Sequence, residues 1–82
     1  MWVRVKEDEK FKIPRAYEIH GVYINKYNNI TYVNGYTDYN LETNIILGEY
    51  SYGNEKLAVE AFERIMTAII NGGKLVDLSR EY

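Results

Sequence analysis

Asn54-Glu55-Lys56-Leu57-Ala58-Val59-Glu60-Ala61-Phe62-Glu63-Arg64-Ile65-Met66-Thr67-Ala68-Ile69-Ile70-Asn71 is the stretch on which the fold turns. It contains no proline or glycine, and its apolar residues recur at helical spacing. At 100° per residue from Leu57, ten residues fall in one arc of roughly 220°: Leu57, Ala68, Ala61, Ile65, Ala58, Ile69, Phe62, Met66, Val59 and Ile70. Glu63, Lys56, Thr67, Glu60, Asn71 and Arg64 share most of the rest, and only Glu55 intrudes on the apolar side. A helix lying on one sheet needs an apolar stripe of about 100° or a little more. The surplus predicts a second apolar contact, and in a short chain a second copy of itself is the simplest partner. Val59, Phe62, Met66, Ile69 and Ile70 are the candidate oligomer-interface residues. The alternative is that the N-terminal strand and the tail wrap around the helix.

Asn54 suits the N-cap, and Glu55 suits the positive end of the helix dipole. Lys56–Glu60 and Glu60–Arg64 are i,i+4 pairs on the wet face. Gly72-Gly73 supplies a left-handed C-terminal stop.

Upstream of the helix the period changes to two. Trp2 to Val5 predicts a short strand, followed by the charged run Lys6-Glu7-Asp8-Glu9-Lys10, a solvated turn. Phe11-Lys12-Ile13 resumes alternation and Pro14 ends it. Tyr17, Ile19, Gly21 and Tyr23 alternate with Glu18, His20, Val22 and Ile24, which predicts one strand from about Ala16 to Lys26 with a bulge at Gly21. Asn28-Asn29 reads as a hairpin turn, since asparagine tolerates positive φ. Ile30 to Tyr36 is its partner strand, and Thr37-Asp38-Tyr39-Asn40 is a loop. Thr43 to Tyr50 is a further strand. Its Ile45-Ile46-Leu47 run is apolar on both faces, which predicts a central or doubly covered position. Leu75-Val76-Asp77-Leu78, in the tail Lys74–Tyr82, adds an edge strand or reaches a neighbouring subunit. The expected fold class is α+β: one domain over 1–82, two layers, with an antiparallel sheet of four to five strands packed on one C-terminal helix.

Composition narrows the chemistry. Eighty-two residues give a thin core, and small scaffolds usually gain stability from disulfides, a metal or assembly. There is no cysteine and one histidine, which removes disulfides, thiolate sites and imidazole-rich metal clusters. No metal and no cofactor are expected. A net charge of −2 gives no basic footprint for nucleic acid. No segment approaches the ~18 apolar residues of a membrane span, and no signal peptide opens the chain, so a cytoplasmic, membrane-free protein is expected. Nine tyrosines, eight asparagines and nine isoleucines point to AT-rich codons, as in a low-GC bacterium or its phage.

Enzyme signatures such as G-x-x-x-x-G-K-[ST], G-x-G-x-x-G, G-x-S-x-G and H-E-x-x-H do not occur. Asp38 with Glu42, or His20, are the residues an acid–base enzyme would use, but a polar connecting loop and a structural or surface histidine account for them more simply. A non-enzymatic protein is therefore expected. Tyrosine combines a stacking face with a hydroxyl, which suits nucleobases and protein partners. Tyr23 and Tyr32 are placed to pair across the hairpin, and Tyr36 and Tyr39 lie near the strand ends. Arg4, Arg15 and Lys26 are the nearest cations. Together Arg4, Arg15, Tyr23, Lys26, Tyr32, Tyr36 and Tyr39 are the candidate ligand-binding residues. The same tyrosines also suit a half-buried sheet with no ligand at all.

Trp2-Val3-Arg4, Tyr17-Glu18-Ile19, Leu47-Gly48-Glu49-Tyr50 and the spaced Ala58, Ala61, Phe62 and Ile65 resemble a pattern in small, functionally uncharacterised phage- and prophage-type proteins of low-GC Gram-positive bacteria. That pattern is W-[IV]-R, then F-x-I, then L-G-x-Y and a helix of spaced alanine and isoleucine; Tyr17 stands where phenylalanine is usual. The resemblance implies context and no catalytic residues. It suggests a homo-oligomeric binding protein of the host cytoplasm that sequesters a nucleotide immune signal. The alternative is a protein–protein inhibitor or adaptor acting on a host defence protein.

Overall fold

The computed structural model describes residues 1–8 and 10–79; Glu9 of the charged run and residues 80–82 of the tail lie outside it. Among the described residues six strands and one helix follow in the order β1 (Trp2–Val5), β2 (Arg15–Glu18), β3 (Gly21–Tyr27), β4 (Ile30–Tyr36), β5 (Asn44–Tyr50), α1 (Glu55–Ile70) and β6 (Leu75–Asp77). The class is α+β, but the strands form two three-stranded sheets, β2-β1-β6 and β3-β4-β5, and not one sheet of four or five.

The division falls inside the segment expected to be a single strand from Ala16 to Lys26. The Ile19 N–H donates to the Met1 carbonyl at 2.8 Å, which extends the first sheet. The next amide, His20 N–H, donates to the Tyr36 carbonyl at 2.8 Å, which begins the second. Successive amides of an extended chain point to opposite sides. Here each side finds a different sheet, so alternation continues while the hydrogen-bond partner changes. Ile19 is fully buried at this corner.

The bulge lies in β5 and not at Gly21. Val33 pairs with Gly48 but Asn34 pairs with Ile46, leaving Leu47 as the extra residue. This also explains the doubly apolar run Ile45-Ile46-Leu47. Leu47 turns into the core while Ile46 stays 51% exposed, and β5 is an edge strand, not a central one. The hairpin turn at Asn28-Asn29 forms as expected, with φ of 49° and 63°.

Helix α1 covers one face of the second sheet. Ala58, Ala61 and Ile65 are buried, and the two alanines let the helix approach the strands closely. They join Val3, Val5, Ile19, Val22, Val33, Leu47, Tyr50, Val76 and Leu78 in a single core. The helix is not the last element. β6 follows it and pairs parallel to β1, with Val3 opposite Val76, so Leu75–Asp77 is an edge strand of its own chain's sheet. Arg64 Nη2 donates to the Asp77 carbonyl at 3.1 Å and ties the helix to β6.

The helix ends differ in how far they match expectation. At the C-terminus the Gly72 N–H donates to Ile69 O and the Gly73 N–H to Ala68 O, with Gly72 at φ 71°, a Schellman stop. At the N-terminus Asn54 makes no side-chain cap. Its Nδ2 donates instead to Ser51 Oγ at 3.0 Å, because the Ser51–Asn54 turn holds it facing backwards. Glu55 compensates in part, accepting the Gly53 N–H at 3.0 Å.

Candidate functional site

The second sheet has two faces of different character. Register places Val22, Ile24 and Lys26 with Thr31, Val33 and Gly35 on the helix side. The opposite side carries Gly21, Tyr23, Asn25 and Tyr27, then Ile30, Tyr32, Asn34 and Tyr36, then Asn44, Ile46 and Glu49. Among the described residues no helix or strand packs on this second side.

Within that face two diagonal contacts run in the same sense. The Tyr23 and Tyr36 rings have centroids 5.0 Å apart and are tilted by 34°. Asn34 Nδ2 donates to Asn25 Oδ1 at 2.6 Å. Strand twist brings one of the two diagonals of an antiparallel pair closer, which accounts for both. Asn34 is only 5% exposed although it lies on an uncovered face. Its cross-strand partners are Tyr23 and Ile46, and its neighbours two residues away are Tyr32 and Tyr36. These four large side chains shield it, and the Asn25 amide answers its donor group.

The Thr37–Thr43 loop forms one rim. The Asp38 carboxylate accepts the Glu42 and Thr43 N–H groups, each at 3.0 Å. Leu41 adopts φ 57°, and its Cδ2 would lie 3.1 Å from a Cβ at Gly21. The bare Gly21 therefore makes room for Leu41 and Tyr36 at the end of the face. Tyr39 stacks on His20 with centroids 3.9 Å apart, and its outer surface is open.

The expected ligand residues are only partly brought together. Tyr23, Tyr32 and Tyr36 share the open face, and Tyr39 stands on the rim loop. Tyr23 and Tyr32 are not directly paired, because the two-residue turn puts Asn34 opposite Tyr23 and Asn25 opposite Tyr32. Lys26 lies on the helix side, with Nζ 3.5 Å from Glu55 Oε1 and 5.9 Å above the Tyr52 ring. Arg4 and Arg15 belong to the other sheet, where Arg15 donates through Nε and Nη2 to the Lys6 carbonyl at 3.2 and 2.9 Å. The residues that the sequence reading passed over are Asn25, Asn34, Leu41 and Ile46. The register implied by the Asn28-Asn29 turn was the signal for the asparagines; Ile46 and Leu41 carried none.

On the helix, the expected interface residues differ in exposure. Phe62, Met66 and Ile69 are half-buried against the core, while Val59 is 43% and Ile70 75% exposed. Val59, Met66 and Ile70 lie within roughly 40° of one another around the axis, along one flank of the buried stripe.

Glu55 is a carboxylate whose titration departs clearly from the ordinary range. It is held below the usual carboxylate range, first by its own backbone N–H and further by Lys26 and the Gly53 N–H, against a partial desolvation that opposes them. Among the described residues no group of three His, Asp or Glu side chains is placed to hold a metal ion, and no helix is long and apolar enough to cross a membrane. No protein-family model matches the sequence, and no curated protein or solved structure is significantly similar to it.

Proposed function

We propose that this protein is a non-enzymatic binding protein whose recognition surface is the open face of the second sheet. The observation that carries this reading is the cluster of Tyr23, Tyr32 and Tyr36 around the Asn25–Asn34 pair, on a face that no helix or strand of the described residues covers. Tyrosine and asparagine combine rigid contact area with adaptable hydrogen bonding, the combination used by protein-recognition surfaces. The face is broad, and among the described strand residues no arginine or lysine lies on it. A nucleotide would need a cation for its phosphate beside the stacked base. The arrangement therefore favours the inhibitor or adaptor reading over sequestration of a nucleotide signal. The resemblance to small phage-type proteins makes a host protein the natural class of partner.

The same proposal includes self-association through the helix flank of Val59, Met66 and Ile70. What supports it is the exposure of Val59 and Ile70 beside half-buried Met66, an apolar strip that the protein's own strands leave uncovered. The two surfaces are separate, so assembly leaves the tyrosine face open.

Two variants test the proposal. Tyr23→Ser with Tyr36→Ser removes the ring contact, and Val59→Glu with Ile70→Glu charges the helix flank. Each is used as bait for host proteins, and its mass is measured by light scattering at several concentrations. A host protein retained by wild type and by the helix variant but lost with the tyrosine variant supports the binding face; equal retention by all three overturns it. A mass that falls to one chain only in the helix variant supports assembly, and a single-chain mass for wild type at every concentration removes it.

A further inference from the structure

On the other sheet, a cavity of about 330 Å³ opens beside the end of β1, and three cations line it: Arg4, Lys6 and Lys12. One carboxylate, Glu7, shares the wall, while Val5 and Pro14 supply apolar surface. The excess of cations is notable in a chain whose net charge is −2. Neither the Arg4 nor the Lys12 side chain has an ion-pair partner among the described residues.

The backbone that carries the cations is fixed at several points. Arg4 and Lys6 are two residues apart along an extended segment, which puts them on one side of it. Arg15 fixes the exit of β1 by gripping the Lys6 carbonyl with two N–H groups. On the opposite flank the Leu78 N–H donates to the Arg4 carbonyl at 2.8 Å, which brings Ser79 to the cavity wall. Lys12 arrives from a turn organised by Asp8. The Asp8 Oδ1 accepts the Lys10 and Phe11 N–H groups, and its carbonyl accepts the Lys12 N–H at 2.7 Å. That turn holds Lys12 at φ 56°, a left-handed conformation unfavourable for a side chain with a Cβ. A glycine or asparagine would relieve it, yet the position carries a lysine that lines the same cavity as Arg4 and Lys6.

We propose that this cavity binds a small phosphorylated molecule through its phosphomonoester dianion. Arg4 and Lys12, without an ion-pair partner among the described residues, bring two charges to the cavity wall, and Arg and Lys are the side chains suited to phosphate oxygens. The volume falls in the range of small-ligand sites, and Val5 and Pro14 offer an apolar surface to the rest of such a molecule. The site is distinct from the tyrosine face, and neither depends on the other.

The test is an NMR titration of backbone amides in the full chain at low ionic strength, where screening is weak. The probes are inorganic phosphate and phenyl phosphate, with sodium chloride as the control. Saturable shifts confined to residues 4–7, 12–13 and 79 are expected, larger for phenyl phosphate than for chloride. Arg4→Gln should weaken binding by about tenfold, the worth of one charge-assisted hydrogen bond. Lys12→Gly removes the charge while relieving the left-handed strain, so it should bind weakly yet melt no lower than wild type. Lys12→Arg should retain binding. Non-saturating shifts, shifts spread equally over Lys26, Lys56 and Lys74, or undiminished affinity in Arg4→Gln and Lys12→Gly would each overturn the site.

Discussion

Gly35 and Ile19 meet where the two sheets join: a Cβ at Gly35 would lie 2.8 Å from Cγ2 of Ile19. Leu47 Cδ1 would be 3.0 Å from the same position. Both neighbours are buried, so neither side chain can swing into solvent. Ile19 is the residue at which the chain leaves one sheet for the other, and the missing methyl on β4 lets that corner close over the second sheet. Gly35→Ala should therefore destabilise the protein by about 1–3 kcal/mol, the usual cost of overpacking a core. In a domain of this size each kilocalorie lowers Tm by roughly 4–8 °C. Combining it with Ile19→Ala, which removes Cγ2, should cost less than the two single changes added together. Thermal unfolding of the four proteins measures this coupling.

The helix offers a sharper contrast between two isoleucines five residues apart. Ile65 is fully buried and Ile70 is 75% exposed. Ile65→Ala should cost about 2–5 kcal/mol through lost transfer energy and the cavity left behind. Ile70→Ala should leave the stability of the single chain within about 0.5 kcal/mol. Urea unfolding at low protein concentration reads both. Equal effects would mean that the helix sits on the sheet by a different face.

Thr31 is buried, and its Oγ1 has no hydrogen-bond partner among the described residues. It lies on the helix side of β4, opposite Lys26 and Tyr50. A buried hydroxyl without a partner loses its hydration for nothing in return. Valine has nearly the same shape and a strand preference at least as good. Thr31→Val should raise stability by about 1 kcal/mol, seen as a higher denaturant midpoint at unchanged slope.

Glu55 gives a pH dependence whose sign follows from its lowered pKa. Its own backbone N–H is the main cause, with Lys26 and the Gly53 N–H adding to it. A carboxyl that titrates lower in the folded than in the unfolded chain stabilises the fold in its charged form. That contribution is complete above the unfolded-state value and is lost as pH falls through the lowered folded value. In the acid range wild type should therefore lose Tm more steeply than Glu55→Gln, and the two curves should run parallel near neutrality. Helix circular dichroism during an acid titration follows the first turn directly. Identical acid slopes would show that the Glu55 contacts do not contribute.

Local rules made much of the architecture legible. The helix, its glycine stop, the Asn28-Asn29 hairpin and β4 all follow from period, φ preference and turn chemistry within a few residues. Asn54 is the N-cap residue as its type suggests, but its side chain makes no cap bond, because it has a competing partner in Ser51, three residues back. For the site, the residue types were readable but their company was not. Lys26 seemed a neighbour of the tyrosines, yet alternation along β3 sends it to the helix side and into contact with Glu55. Arg4 and Arg15 lie near the tyrosines in the sequence and in a different sheet in the fold.

What the sequence determined by itself is therefore local: which segments extend, which one coils, where the chain turns, and that the one helix carries more apolar surface than a single sheet requires. Tertiary structure alone decided that successive amides at Ile19 and His20 serve different sheets, that Leu47 is the inserted residue, and that β6 runs parallel to β1. The reason is physical. Hydrophobic period and backbone preference act over a few residues, whereas the partner of an extended strand is chosen by long-range hydrogen bonding and by how the core fills, and an unbroken alternation is compatible with more than one such partner.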